Sequence, residues 1–239
     1  MRRDVTSTSN CRTVKKTCYN DGVAYSCNRR VCDYTYGAPY KSCYTPTYKQ
    51  TWKGCVGSRL NGNDVKAEYA GKKIPGLMNT NCGTEILPLT NKMASVKSKI
   101  GALNASGNTY IPAGLAWGWR TLDTNQPLTE AAGAYAANTQ KVMVLMTDGA
   151  NTKSKNGIKH NGGSSVNANA KTKAMCTNIK AKDIQIYTIA YDITDTATKK
   201  LMKNCATSNA MYFDASDATQ LNAAFQSIAA NLIKLRLTH

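Results

Sequence analysis

The sequence predicts an α/β protein whose parallel sheet carries helices on both faces. Three short apolar runs, at residues 141–147, 184–191 and 211–215, have the length and composition of buried strands. Longer segments with apolar residues at helical spacing lie between and after them, so strand and helix alternate along the chain. A third observation concerns the first 43 residues, which hold five of the nine cysteines and are therefore set apart from the sheet.

Two helices are predicted before the first of these strands. From residue 90 onward, apolar residues recur at helical spacing and predict a helix with one buried face; they are Met93, Val96, Ile100 and Leu103. The tripeptide Ser106-Gly107-Asn108 ends this pattern. Pro112 suits the first turn of a second, shorter helix, whose apolar residues are Leu115, Trp119 and Leu122.

The later elements alternate regularly. The run at 141–147 is too short and too uniformly apolar for a surface helix, so we interpret it as a strand covered on both faces. A helix at 164–182 is predicted to face inward with Val166, Ala170, Ala174 and Ile179. Thr194 is the predicted cap of a helix whose inner residues are Ala197, Leu201 and Cys205. A closing helix is predicted to bury Leu221, Ala224, Phe225, Ile228 and Leu232.

The charge of the chain favours anionic partners. It has 239 residues, a length that suits one α/β domain or a smaller domain with a long insertion. Its 31 Lys and Arg against 14 Asp and Glu give a formal net charge of +17. Acidic protein, polysaccharide, phospholipid and nucleic acid would all be attracted. The charge therefore predicts that the partner is negatively charged but does not identify it. No stretch is long and apolar enough to span a bilayer.

The composition changes near residue 73. Residues 1–73 hold 14 Lys and Arg, 5 Asp and Glu and 8 of the 13 tyrosines, with few aliphatic side chains. Such a segment cannot bury a large core of its own, so we interpret it as a cross-linked excursion of loops and short strands. Residues 74–239 carry the periodic segments and form the predicted α/β domain.

The N-terminal cysteines are predicted to form disulfides. Cys11, Cys18, Cys27, Cys32 and Cys43 include no closely spaced pair of the kind that binds zinc, so disulfides in an oxidising compartment are favoured over a metal site. Their pairing cannot be deduced from the sequence, and the odd total of cysteines leaves one thiol over.

Two further cysteine pairs are predicted in the rest of the chain. Cys176 and Cys205 lie on helices that flank the strand at 184–191, so a bridge between them is expected; the alternative is two buried thiols. Cys55 and Cys82 are predicted to pair across the insertion.

Two polar features suggest a site at one edge of the sheet. Asp148-Gly149 follows a buried strand directly, and ligands of open parallel sheets bind outside the carboxyl ends of the strands. We expect the glycine to let the chain turn sharply. Thr109 lies in a Gly/Asn loop just before a helix, and oxygen ligands of this kind suit a hard cation such as Mg²⁺. The alternatives are a plain turn at Asp148 and a helix-capping role for Thr109.

Several motifs together resemble the von Willebrand factor A-type domain of TadG-like proteins from tight-adherence pilus assembly. They are SGNTYIPAGLAWGWRTLDTNQPLTEAA, KVMVLMTDGANT, MCTNIKAKDIQIYTIAYDI, KNCA and MYFDAS, and the similarity begins near Trp52. The resemblance implies a Rossmann-like sheet with a metal-ion-dependent adhesion site, to which Thr109 and Asp148 would contribute. A cation there would accept an acidic side chain from a protein partner.

The chain departs from that family in lacking its D-x-S-x-S motif. The nearest match is the stretch Asp4-Val5-Thr6-Ser7-Thr8, which only Met1-Arg2-Arg3 precedes. The resemblance therefore implies that the first strand, first helix and second strand lie upstream, leaving the domain incomplete here. Two oxygen ligands are too few to hold a divalent ion tightly, so metal binding should be weak or absent in this chain. The strand at 141–147 should expose a hydrophobic edge that aggregates or is covered by another chain.

The remaining residues favour a binding protein over an enzyme. The histidines are His160, expected to be solvated, and His239, and we find no arrangement typical of hydrolases, phosphate loops or dinucleotide sites. Aromatic residues among cations would also suit nucleic acid, but disulfides disfavour it. We therefore expect an extracytoplasmic protein of the bacterial envelope, anchored only through a segment outside this chain. The alternative is a structural pilus component with a vestigial metal site that binds through its cysteine-rich segment.

Overall fold

A computed structural model describes residues 2–20, 23–41, 46–47, 49–66, 71–131 and 139–237. The chain divides into two compact units, Met1–Lys49 and Gln50–His239. The second unit thus includes residues 50–73, whereas the boundary predicted at residue 73 is compositional and stays a prediction. None of the helices in the described ranges combines the length and apolarity needed to cross a bilayer.

The N-terminal unit is a disulfide-linked ribbon. Strands β1 (Val5–Asn20) and β2 (Val23–Tyr36) pair antiparallel, with an irregularity in register between Ser9 and Arg12. Disulfides join Cys11 to Cys32 and Cys18 to Cys27, as expected from a disulfide rather than a zinc framework. A two-stranded ribbon has too little core to be stable alone, so these cross-links supply the missing constraint. Cys43 lies outside the described residues.

The second unit contains the predicted alternation of strands and helices. A short antiparallel pair comes first, comprising β3 (Trp52–Val56) and β4 (Gly76–Met78), and the Cys55–Cys82 disulfide links this region. The helices are α1 (Met93–Gly101), α2 (Ile111–Thr121), α3 (Ser165–Lys180), α4 (Thr196–Cys205) and α5 (Ala218–Leu237). The other strands are β5 (Val142–Thr147), β6 (Ser154–Asn156), β7 (Lys159–Gly162), β8 (Gln185–Tyr191) and β9 (Tyr212–Ala215).

The central sheet is parallel, and this confirms the predicted fold class. Its order is β5-β8-β9, with Val142 opposite Gln185 and Thr188 opposite Tyr212. Strand β8 is central and buried on both faces, because alternate residues point to opposite sides. Ile186 packs with α2, α3 and α4, whereas Tyr187 packs with β9 and α5.

A disulfide joins the two helices α3 and α4, which pack on the same face of the sheet. Cys176 on α3 and Cys205 on α4 are bonded to each other, as predicted, and both are buried in the core beside Ile186. Because Ile186 lies on the strand between the two helices, the bond fixes α3 and α4 against β8.

The predicted strand covered on both faces is wrong for β5. Met143 and Thr147 are buried, but Val144 is 41% and Met146 48% exposed. The reason is that α2 and α3 cover one side, while α5 on the other side reaches Val142 and packs mainly on β8 and β9. Within the described part of the sheet, β5 is also an edge strand. Its coverage by another chain stays a prediction.

The predicted buried face of α1 is also wrong, since none of its residues is buried. Met93 is 65% and Ile100 61% exposed, because neither of the two core clusters includes this helix. Helical spacing shows that a helix has an apolar side, but a buried side needs a neighbour to pack against.

Three details of the other helices differ from the predictions. The buried stripe of α3 is Ala168, Thr172, Met175, Cys176 and Ile179, rather than one containing Val166, Ala170 and Ala174. Helix α4 is capped by Asp195, whose carboxylate accepts from the N–H groups of Ala197 and Thr198, and not by Thr194. Ala197 and Phe225, both expected inside, are exposed because Thr198 and Ala224 take the inward positions beside them.

We expect the double substitution Cys176→Ala/Cys205→Ala to lower the free energy of unfolding by about 3–4 kcal/mol, the loop-closure value for a separation of 29 residues. Urea denaturation followed by circular dichroism measures the change. The double substitution Ala174→Ser/Asn204→Ser, at exposed positions on the same two helices, is the control and should change it by less than about 0.5 kcal/mol. An unchanged midpoint in the cysteine variant would show that the bond adds no stability.

Candidate binding site at the carboxyl end of the sheet

The loops that carry Thr109 and Asp148 are bound to each other through Thr152. The N–H of Thr109 donates to the Thr152 hydroxyl at 2.9 Å, and the Thr109 carbonyl accepts from the N–H groups of Thr152 and Lys153 at 3.0 Å. Thr109 lies two residues before the start of α2, and Asp148 directly follows β5. The structure therefore brings together the two loops predicted from the sequence.

The buried side chain of Asn151 holds this loop pair against two helices. Its Oδ1 accepts from the N–H of Ile111, the first residue of α2, at 2.8 Å. Its Nδ2 donates to Asn169 Oδ1 at 2.8 Å and lies 3.4 Å from the Thr172 hydroxyl, both on α3. A helix begins with unpaired N–H groups, so the amide satisfies one at α2 while fixing the loop to α3.

The turn at Asp148 is closed by the hydroxyl of Thr147. This hydroxyl donates to the carbonyl of Gly149 at 2.8 Å and lies 3.3 Å from the Gly149 nitrogen. Gly149 does not require a left-handed conformation, and a Cβ there would meet nothing within 4 Å. The expectation that glycine permits the turn is therefore wrong; the threonine hydroxyl forms it. Asp148 itself is exposed, so its carboxylate is available to a ligand.

The described residues supply only part of a metal site. Thr109 and Asp148 offer a hydroxyl and a carboxylate oxygen, which suit Mg²⁺, but in the described ranges no group of three or more acidic, histidine or cysteine residues could hold an ion. Asp4, in the nearest match to D-x-S-x-S, belongs to the N-terminal unit, where its Oδ1 accepts from the Tyr40 hydroxyl at 2.9 Å. The two-residue set is therefore too small for tight binding.

A buried carboxylate lies in the same unit. Asp64 Oδ2 is 2.6 Å from the Lys171 ammonium, and Oδ1 is 3.2 Å from that of Lys155, which also donates to the Arg59 carbonyl. The Asp64 side chain is only 4% exposed. We call Asp64, Lys155 and Lys171 the Asp64 cluster. It joins the turn at Asn63–Val65 to β6 and α3.

Local backbone geometry places Asp64 inside. Gly62 has φ 73°, a left-handed conformation that glycine adopts readily, and it starts the 3₁₀ turn Asn63–Val65. Asn178 on α3 donates to the Val65 carbonyl at 3.1 Å and fixes the end of this turn. A side chain added at Gly57 would lie 2.2 Å from the Ile158 carbonyl, so glycine there allows the segment to approach the turn between β6 and β7.

Charge and burial shift several pKa values around the cluster. Burial alone would raise the pKa of Asp64, but hydrogen bonds and positive charges from Lys171 and Lys155 outweigh it and lower that pKa. Burial, together with the charge of Lys155, lowers the pKa of His160 against a smaller opposing effect of Asp64. Burial and the charge of Asp64 raise the pKa of Tyr110 to about 12. Asp64 is therefore ionised and His160 neutral near pH 7.

His160 is not the solvated residue expected from its loop. It lies on β7, half-buried, with Nε2 2.7 Å from the Ser58 hydroxyl and its ring 4.8 Å from that of Tyr110. Because Tyr110 directly follows Thr109, the contact of its ring with His160 helps to position the loop that carries Thr109. These contacts pair a hydroxyl with an imidazole but include no carboxylate that would orient the ring as in a catalytic triad.

Sequence reasoning missed Asn151 and Asp64. Asn151 lies within KVMVLMTDGANT, where an amide after a strand looks like an ordinary loop residue. Asp64 follows Asn61-Gly62-Asn63, a turn pattern that normally places an acid at the surface. Neither residue has a distinguishing local pattern. The partners of Asn151 lie 18 to 40 residues away along the chain, and those of Asp64 lie still further away, on β6 and α3.

One protein-family model and several solved structures match part of this chain. Residues 78–227 match the family model of the von Willebrand factor type A domain. The solved structures that match include the pilus adhesin SpaC from Lactobacillus rhamnosus GG (17% identity, TM-score 0.45), with 60% of this chain and 21% of that chain covered. Another is proximal thread matrix protein 1 from the mussel byssus (19% identity, TM-score 0.39), with 60% and 28% covered. The chain thus spans less than a third of either. No curated protein matches the chain.

We expect Asn151→Ala to lower the free energy of unfolding by about 1–3 kcal/mol, because the buried N–H of Ile111 and the Asn169 side chain lose their partner. Thermal unfolding followed by circular dichroism measures the loss. Asn204→Ala, which removes an exposed amide from α4, is the control and should change the free energy by less than about 0.5 kcal/mol. Equal effects of the two substitutions would contradict the role given to Asn151.

We expect Asp64→Asn to cost about 2–3 kcal/mol, somewhat less than breaking a fully buried ion pair, since both lysines keep some contact with solvent. Asp214→Asn, in the exposed pair with Lys199, should cost less than about 1 kcal/mol. Because the pKa of Asp64 is lowered on folding, its stabilisation is complete above about pH 4 and is lost as the pH falls below that value. Denaturation between about pH 3 and pH 6 tests this. An Asp64→Asn variant with the acid sensitivity of the wild type would contradict it.

Proposed function

The chain belongs to the von Willebrand factor type A domain family, and from this premise we propose that it is a non-enzymatic binding protein of the bacterial envelope. Domains of this family generally mediate contacts between proteins. The observation that carries the proposal is the pair of loops joined by Thr152, which presents Thr109 and the exposed Asp148 at the carboxyl end of the parallel sheet. Ligands of open α/β sheets bind at this end.

The proposed partner is a protein with an exposed acidic side chain. A divalent cation such as Mg²⁺ held by Thr109 and Asp148 would supply a positive centre that accepts a carboxylate. The two residues alone supply too few oxygen atoms, so tight metal binding would need further oxygen ligands, and this chain would bind the cation weakly. The motif resemblance supports a role in pilus assembly or adhesion of the tight-adherence type.

The disulfides support the proposed compartment. Four disulfides, among them Cys55–Cys82 and Cys176–Cys205, form and persist in oxidising surroundings. We therefore place the protein in the periplasm or at the cell surface, with membrane anchoring through a segment outside this chain.

A second candidate function uses the N-terminal ribbon. The positive charge of the ribbon favours this function. Five basic residues fall within consecutive cross-strand positions, and all are exposed; they are Arg12, Lys15, Lys16, Arg29 and Arg30. Alternate residues of a strand point to opposite faces, so Arg12, Lys16 and Arg29 share one face of the ribbon, and Lys15 and Arg30 share the other. The Cys11–Cys32 and Cys18–Cys27 disulfides constrain the strands that carry these charges, either face of which could attract an acidic partner. In this case the site at Asp148 would be vestigial and the protein a structural part of the pilus machinery.

We expect titration calorimetry with Mg²⁺ or Mn²⁺ to show binding weaker than about 1 mM for this chain, because few oxygen ligands compete poorly with hydration. Asp148→Asn should abolish that binding. Asp123→Asn, which removes an acidic charge from the turn after α2, should leave it intact. A dissociation constant well below about 1 mM, or binding that Asp148→Asn leaves unchanged, would contradict the assignment of Asp148 as a metal ligand.

The same variants distinguish the two functions. Partner binding that needs the divalent cation, and is lost with Asp148→Asn, supports the metal site. Partner binding that survives EDTA but is lost when the disulfides are reduced supports the ribbon.

A further inference from the structure

A groove of about 450 Å³ opens on the surface directly beside the Asp64 cluster. Its lining residues come from the segment before Asp64, from the β6–β7 region and from α3; they are Leu60, Lys155, Gly157, Asn167, Ala170 and Lys171. Two of these six residues carry positive charge and none carries negative charge. The groove is thus cationic, with apolar surface contributed by Leu60 and Ala170.

The charges behind the groove do not cancel. Asp64 is a single carboxylate shared by two ammonium groups, so the Asp64 cluster has a net charge of about +1 near neutral pH. The side chains of Lys155 and Lys171 remain 12% and 28% exposed, so an approaching ligand can reach both. Arg120 is buried in the same unit, and burial together with the charge of Arg59 lowers its pKa to about 10.

Lys171 has hydrogen-bonding capacity left for a ligand. An ammonium group has three N–H donors, and within the described residues the partner of the Lys171 ammonium is Asp64 Oδ2. The other two donors can therefore bind an anion without breaking the pair with Asp64. Lys155, by contrast, already contacts Asp64 and the Arg59 carbonyl. A ligand can therefore form more new hydrogen bonds with Lys171 than with Lys155.

We propose that this groove binds carboxylate side chains of an acidic protein segment without the help of a metal ion. The carboxylate would lie at the Lys171 and Lys155 ammonium groups, near the exposed Asn167 amide. Glutamate suits the groove because its short apolar stem can lie against Leu60 and Ala170 while its charge reaches the lysines. Charge-assisted hydrogen bonds of this kind are stronger than neutral ones.

The inference rests on the proposed function only in taking an acidic protein as the partner. Its site is separate, since neither Thr109 nor Asp148 lines the groove. A partner could therefore be held by one carboxylate through a cation and by another through Lys171. The two contributions are distinguishable, because EDTA removes the first and leaves the second.

A synthetic hexaglutamate peptide tests the proposal with the full 239-residue chain in EDTA. We expect it to bind and to shift the amide NMR signals of Gly157, Asn167 and Ala170 in the wild-type protein, whereas hexaglutamine does not. Lys171→Gln should weaken binding about tenfold, the size expected for one lost hydrogen bond to a charged group. This variant leaves Asp64 paired with Lys155, and circular dichroism checks that it folds.

Lys173→Gln is the matched control, because it removes the same charge from an exposed position on the same helix. It should weaken binding less than about twofold, since exposed charges interact weakly through water. Equal weakening by both variants would show attraction to net charge alone and overturn the proposal. Absence of binding in EDTA, or shifts confined to the ribbon, would overturn it as well. Peptide binding that appears only when Mg²⁺ is added would support the metal site and reject this one.

Discussion

The side-chain amide of Asn151 is the constraint on which the candidate site depends. It is buried, so each of its polar atoms needs a partner, and it finds them at the start of α2 and along α3. The loop after β5 therefore cannot move independently of either helix. Thr152 then ties that loop to Thr109. The relative position of the loops that carry Thr109 and Asp148 is thus set by Asn151 and Thr152, which are not themselves predicted ligands. This is expected where a binding loop is held by a rigid scaffold.

The Asp64 cluster solves a different problem, which is how to attach residues 57–65 to the sheet without a large apolar surface. This segment is polar, so burial alone would hold it weakly. A carboxylate taken out of water loses hydration energy, and two lysines from β6 and α3 offset that loss. The arrangement favours one orientation of the segment, because a displaced Asp64 would lose its ion pairs with both lysines. It also concentrates positive charge on one side of the unit.

The sequence predicted the fold better than the faces of its elements. Apolar periodicity located β8 and α2 correctly, because a buried strand and an amphipathic helix need no further information. It misassigned the inner side of α3, where the polar Thr172 is buried and the apolar Val166 is exposed, since hydrogen bonds to Asn151 and the bond at Cys176 decide the orientation. The loops that carry Thr109 and Asp148 could be predicted because the strand and helix boundaries beside them are local, whereas the role of the two residues as ligands stays a prediction. Asp64 was missed because its partners are distant along the chain.

The bond between Cys176 and Cys205 also determines how this unit would carry tension. The central strand β8 lies inside the loop that this bond closes, 29 residues in sequence separation. A pull on the two ends of the chain would pass from α3 to α4 through sulfur and bypass the strand entirely. The residues between Cys176 and Cys205 could not be extended by the pull. The chain stretched from end to end would therefore be about 100 Å shorter than the same chain without the bond. Strands β5 and β9 lie outside the closed loop, so a pull would act on these two strands while β8 stayed attached to α3 and α4.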